Sequence, residues 1–280
     1  MKVETIDLYA YFNISRPDGG AGYLTSYLLD PVYENRIRPA MLVIPGGGYG
    51  HVSPREGEPI ALKYMNEGFH AFCLNYSIAP KGTYPAPLIE ACMAMIYIRE
   101  NAKNFGVDAS HVSAVGFSAG GHLLGMLSNM YNEEEVILAL GKDRVNLICP
   151  DAVVYSYPVI TAFNHPHIGS FINLTGGKEE MYEKLCIERR VSKNSPPAFI
   201  WATVNDNAVP SENSFDLALA YKKAGVPFEL HVFEKGIHGL ALSTEETGRV
   251  NVPVQAWINL SITWLKKHGF ILKDDPDIEK

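Results

Sequence analysis

Gly116-Phe117-Ser118-Ala119-Gly120 stands between two apolar runs, His111-Val112-Ser113-Ala114-Val115 before it and Gly121-His122-Leu123-Leu124-Gly125-Met126-Leu127 after it. The first run reads as a strand and the second as a helix. The residues between them must reverse the chain in very little space, and glycines on both sides of the serine leave room for that turn. Such a turn lifts the Ser118 hydroxyl clear of a sheet and sets a helix N-terminus behind it. The Ala119 amide then faces any negative charge that forms beside Ser118, and the helix dipole adds to the attraction. Taken alone, the same stretch also reads as a glycine-rich strand-to-helix turn without chemistry, so the rest of the chain has to decide.

Strands and helices alternate on both sides of this turn, the pattern of an α/β protein with a mostly parallel sheet and helices on both faces. Residues 3–8 and 22–29 read as strands joined through Arg16-Pro17-Asp18-Gly19-Gly20, an antiparallel entry into the sheet. Ala40–Ile44 and Phe69–Tyr76 read as buried central strands, and further runs follow at Ala152–Tyr155, Ala198–Ala202 and Phe228–Phe233. Leu88, Ala91, Cys92, Met95 and Ile96 recur at helical spacing after Pro85 and Pro87, and helical patterns at 211–224 and 253–268 end at Gly225 and Gly269. No repeat or low-complexity linker interrupts the chain, so residues 1–280 are expected to form a single domain with 47% hydrophobic residues to fill its core.

The net charge of −7, with Lys and Arg scattered, gives no basic field for nucleic acid or an anionic membrane. Met1–Asp7 carries charges where a signal peptide needs an apolar run, and no segment reaches transmembrane length, so a cytoplasmic location is expected. Cys73, Cys92, Cys149 and Cys186 are widely spaced and read as buried small hydrophobes. His165-Pro166-His167 has no third ligand at a supporting spacing, so neither a metal nor another cofactor is expected.

A lone serine is a poor nucleophile and needs a base and an orienting acid, which on a sheet of this type should follow in the order acid, then histidine. Asp206 lies just past the strand ending at Ala202-Thr203, and His238 just past the next one, in Lys235-Gly236-Ile237-His238-Gly239-Leu240. Both fall at carboxyl ends of strands, where the ligand crevice of an open α/β sheet lies. Glu212 is a fallback acid inside the following helix. Pro45-Gly46-Gly47-Gly48-Tyr49-Gly50 follows a strand directly, so the amides of Gly47 and Gly48 can complete an oxyanion hole with Ala119. A phosphate-binding loop is the rival reading, but no GxxxxGK[ST] is present.

Together, PGGG-Y, Ser53–Pro59, Asn75-Tyr76-Ser77-Ile78-Ala79-Pro80, GFSAGGH, DNAVP and GIHGL resemble the α/β-hydrolase esterases related to bacterial acetyl xylan and feruloyl esterases. The resemblance runs from about residue 20 to 268. It implies an α/β-hydrolase fold with an eight-stranded sheet and metal-independent hydrolysis of small acyl esters, often on carbohydrates. Residue by residue it makes Ser118 the nucleophile, Asp206 the acid, His238 the base, and Gly47 and Gly48 the second and third glycines of an HGGG-like element. That element begins here with Pro45 where lipases of the hormone-sensitive branch have His. A serine peptidase or arylformamidase would use the same three residues, and a catalytically silent binding protein would usually lack one of them.

Around this centre, Arg55, Glu56 and Glu58 read as an ion pair holding the loop beside Gly47 and Gly48, and His122 as a packed or capping histidine. Residues 158–195 are too long for a simple crossover and contain an amphipathic stretch, Lys178–Arg190, so a small cap is expected there. Tyr49, Pro158 and Val159 are candidate walls of an acyl pocket. A cap so small implies an open cleft, short acyl groups, a small-molecule ester such as an acetylated sugar, and a cleft that a neighbouring subunit in a homo-oligomer could narrow.

Overall fold

β-branched and aromatic runs bounded by Gly and Pro form the strands of a computed structural model that describes residues 1–31 and 36–274. The last residues of the expected 1–280 domain, 275–280, lie outside that description. The strands are β1 (Lys2–Asp7), β2 (Tyr23–Leu28), β3 (Arg36–Ile44), β4 (His70–Asn75), β5 (Val107–Phe117), β6 (Ala152–Ser156), β7 (Ala198–Thr203) and β8 (Phe228–Phe233). They lie in the order β1-β2-β4-β3-β5-β6-β7-β8. β2 pairs antiparallel with β1 and with β4, and from β4 to β8 every pairing is parallel. A two-residue strand, β9 (Lys273–Asp274), pairs antiparallel with the start of β3.

The two faces of the sheet explain its alternating side chains. Leu42 and Ile44 of β3, Ala114 of β5, Tyr155 of β6 and Ile200 of β7 join one apolar cluster with the Ala86–Glu100, Ala119–Asn129 and Glu212–Ala224 helices. Met41 and Val43, Val115 and Phe117, Val154, Phe199 and Trp201 join another with the Glu58–Met65 and Ala256–Lys267 helices. Successive residues of one strand thus feed opposite cores, which is why the central strands are apolar throughout.

β3 and β5 begin earlier than their apolar runs, at Arg36 and Val107, where polar residues still pair at the edge of the core with a register shift between Arg38 and Ala40. Hydropathy marks only the buried part of a strand. The amphipathic Lys178–Arg190 stretch folds as three short helical turns, at Glu179–Met181, Tyr182–Leu185 and Ile187–Arg189. Cys186 is extended there because tertiary hydrogen bonds compete with the helix, the Ile187 amide donating to Ile160 O at 3.0 Å and the Ala162 amide to Cys186 Sγ at 3.3 Å. The longer helix of this insertion is Ile168–Thr175. Leu185 and Ile187 are fully buried, and Ile187 lies against Gly125 of the elbow helix.

Candidate active site

Ser118 sits between β5 and the Ala119–Asn129 helix with φ 52° and ψ −118°, a conformation rare for any residue with a side chain. Its amide donates to Ser156 O, while its carbonyl accepts from His122 N and Val159 N. The flanking glycines are needed for close approach: a Cβ on Gly116 would lie 2.4 Å from Gly120 O, and one on Gly120 would lie 2.2 Å from Ile44 O. The turn is therefore packed against β3, the strand that delivers the glycine loop.

Asp206 and His238 arrive from the carboxyl ends of β7 and β8, and the structure brings both to Ser118. His238 Nε2 stands 2.8 Å from Ser118 Oγ, and His238 Nδ1 stands 2.7 Å from Asp206 Oδ2. The other carboxylate oxygen of Asp206 accepts the amides of Ala208 and Val209, each at 3.0 Å, which fixes its orientation. With a carboxylate at Nδ1, that nitrogen carries the proton and Nε2 is left to accept from the serine hydroxyl. Asp206 is buried while His238 is 22% exposed. Glu212 begins the next helix, and the carboxylate that contacts His238 is that of Asp206.

The glycine loop turns beside this relay. Gly47 and Gly48 take φ of 126° and 62°, and among the described residues their amides and that of Ala119 have no acceptor within the protein. Several side chains hold the loop from outside. Tyr76 OH donates to Pro45 O at 2.8 Å, Glu56 Oε2 accepts the Gly46 amide at 2.9 Å, and Asn173 Nδ2 donates to Gly48 O at 2.8 Å. Tyr49 OH lies 2.9 Å from His122 Nδ1, and His122 Nε2 donates to Leu185 O at 2.8 Å. Burial lowers the His122 pKa to about 4, so it is neutral and its Nδ1 accepts from Tyr49.

The cleft over Ser118 encloses about 450 Å³ and is bordered by Gly47, Gly48, His51, Arg55, His167 and Arg249, with Ala208 its one apolar side chain among the described residues. Tyr49, Pro158 and Val159 do not line it. Tyr49 is fully buried because its φ of 56° turns the ring inward onto His122, Pro158 packs on the elbow helix at Gly121, and Val159 is fully buried. The ion pair expected among Arg55, Glu56 and Glu58 is also replaced. Glu56 turns inward to Gly46 and Tyr157, Arg55 donates to Thr247 O, and Glu58 accepts from Tyr27 OH at 3.5 Å.

His51, His167, Arg249, Tyr157 and Asn173 escaped the sequence reading as parts of this site. His167, its Nδ1 2.8 Å from Ser170 Oγ, and Arg249, which donates to His238 O at 2.7 Å, sit in loops without periodicity. Tyr157 had a usable signal, since it follows β6 at the same sheet edge as the other groups. Among the described residues no three His, Cys, Asp or Glu side chains stand close enough to hold a metal ion, and no helix is long and apolar enough to cross a membrane.

Residues 28–221 match a family model described as BD-FAE. The chain is 36% identical over 219 residues to endo-1,4-beta-xylanase B of Butyrivibrio fibrisolvens, covering 75% of this chain and 33% of that protein. It is 26% identical over 272 residues to an acetylxylan esterase of Xylanibacter ruminicola, covering 94% and 49%. The chain thus spans a third to about half the length of these curated relatives. The crystal structure of an acetyl ester-xyloside bifunctional hydrolase from Caldicellulosiruptor lactoaceticus superposes with a TM-score of 0.78 at 36% identity, over 89% of each chain.

Proposed function

The chain belongs to the BD-FAE family, with the α/β-hydrolase fold, and from that premise we propose that it is a serine carboxylesterase that removes short acyl groups, chiefly acetyl, from carbohydrates or other small alcohols. The observation that carries this reading is the hydrogen-bonded series from Ser118 Oγ through His238 to Asp206, set beside three amides that have no acceptor among the described residues. His238 Nε2 takes the serine proton as Oγ attacks the acyl carbonyl, and Asp206 holds the imidazole in the required tautomer and stabilises its cation. The amides of Gly47, Gly48 and Ala119 receive the oxyanion, with the N-terminus of the Ala119–Asn129 helix behind it. Collapse expels the alcohol with a proton from His238, leaving an acyl-serine. Water, deprotonated by the same imidazole, then releases the acid and restores Ser118. No metal or cofactor enters these steps.

The cleft has no large aliphatic side chain on its border among the described residues, Ala208 being the one apolar side chain there, which suits a small acyl group better than a long hydrocarbon chain. Rates on p-nitrophenyl esters are expected to fall from acetate to octanoate, and acetylated xylo-oligosaccharides to be deacetylated faster than feruloyl esters are cleaved. Ser118→Ala should lower turnover by about 10³-fold or more. Rates that rise towards octanoate would overturn the short-acyl assignment, faster cleavage of aminoacyl amides or N-formylkynurenine than of any ester would point to a peptidase or arylformamidase, and undiminished turnover in Ser118→Ala would remove the nucleophile.

A further inference from the structure

We infer that Glu56 is a positioning residue that ties the oxyanion loop to the loop carrying His238, so that one carboxylate keeps both in register about Ser118. The inference rests on the reading of Ser118, His238 and the Gly47 and Gly48 amides given above. Glu56 ends the Pro54–Glu56 turn and is only 3% exposed, yet among the described residues it forms no ion pair. A buried carboxylate without a cation is costly to retain, and an apolar side chain of similar size would fill the space at less expense. Both of its oxygens are nevertheless committed. Oε2 accepts the Gly46 amide at 2.9 Å, and Oε1 accepts the Tyr157 hydroxyl proton at 2.7 Å.

Each of these partners leads into the catalytic machinery. The peptide joining Pro45 to Gly46 is held at both ends, its carbonyl by Tyr76 OH and its N–H by Glu56, directly before the Gly47 and Gly48 amides. Gly46 admits no side chain, since a Cβ there would lie 2.7 Å from Phe117 O and 2.8 Å from Glu56 Oε2. On the other side, Tyr157 OH accepts the Ala241 amide at 2.9 Å, three residues past His238. Its ring packs edge-on to the His238 imidazole, with centroids 5.0 Å apart and planes at 72°. Tyr157 takes φ 38°, a left-handed conformation that the surrounding contacts hold. A shift of either loop would therefore have to break a hydrogen bond to Glu56 or to Tyr157.

Glu56→Gln tests this with little change in volume. One glutamine terminus is NH₂, a donor, so it must face either the Gly46 N–H or a Tyr157 hydroxyl that already accepts from Ala241. Active sites are counted by titration with a fluorophosphonate, and kcat, KM and Tm are measured with p-nitrophenyl acetate as substrate. Per titrated site, kcat should fall about 10-fold or more in Glu56→Gln with KM changed less than about 3-fold, because small misplacement acts on the transition state. Tyr157→Phe, which keeps the ring and removes only the hydroxyl, should move kcat in the same direction and supplies the test if Glu56→Gln does not fold. The double variant should lose less than the product of the two single losses. If kcat per titrated site stays within about 2-fold of the unsubstituted enzyme in the folded variants, with any loss confined to Tm or to the titratable fraction, Glu56 is structural only and the inference is overturned. An unsubstituted enzyme that neither reacts with the probe nor cleaves esters would instead refute the underlying esterase reading.

Discussion

Ser118 holds a backbone conformation that costs about 1–3 kcal/mol for a residue with a side chain, and the contacts around it decide whether that strain persists. Gly120 is the tightest of them. In Gly120→Ala the new Cβ would meet Ile44 O at 2.2 Å and Pro45 O at 2.3 Å, both backbone atoms that cannot swing aside. A loss of about 1–3 kcal/mol or more in urea unfolding is expected, together with loss of esterase activity. Unchanged stability would mean that the β3 and β5 ends are not packed as described. Asp206→Asn separates charge from shape. The amides of Ala208 and Val209 keep the asparagine oxygen on their side, which leaves its NH₂ facing His238 Nδ1. The imidazole then carries its proton on Nε2, towards Ser118, and kcat should fall about 10³–10⁴-fold with little change in Tm. Ser118, Asp206 and His238 could be singled out in the chain because their order and strand-end placement are those the proposed mechanism requires, and the structure sets them within hydrogen-bond distance of one another. Tyr49 was misread because nothing in a sequence shows that a positive φ turns its ring inward.

Among the elements, the 158–195 insertion was the least specified by the sequence. It braces the glycine loop from the side: Asn173 of the Ile168–Thr175 helix binds Gly48 O, and Leu185 O fixes the His122 ring that receives the Tyr49 hydroxyl. Asn173→Ala should reduce kcat for p-nitrophenyl acetate by about 3–30-fold, since Gly48 would lose the bond that orients its peptide, while Tm falls by only a few degrees. An unaffected kcat would show that the loop keeps its shape without the insertion. The apolar strands and the Ala86–Glu100, Glu212–Ala224 and Ala256–Lys267 helices were readable because burial imposes a period on them. The insertion was not, because its backbone conformation is set by distant partners such as Ile160 O and Gly125.

At the scale of the molecule, two buried histidines link stability to pH. Burial lowers His122 and His70 from 6.5 to about 4 in the folded protein, where His70 Nδ1 accepts the Leu29 amide. Between those values the unfolded chain binds more protons than the native one, so stability is complete above about 6.5 and is lost as the pH falls towards 4. Urea midpoints should therefore drop steadily from pH 7 to 4.5, and His70→Gln should flatten part of that slope; an equal slope in the variant would assign the acid sensitivity elsewhere. The parallel sheet itself, with Ser118 after β5, Asp206 after β7 and His238 after β8, gathers at one edge residues that lie 120 positions apart. Labelling with a fluorophosphonate followed by peptide mass mapping tests that convergence most directly. One adduct per chain on the peptide containing Ser118, with hydrolysis of p-nitrophenyl acetate lost in proportion and no adduct in Ser118→Ala, is the expected result. An adduct on another residue, or full hydrolysis by the labelled protein, would contradict it.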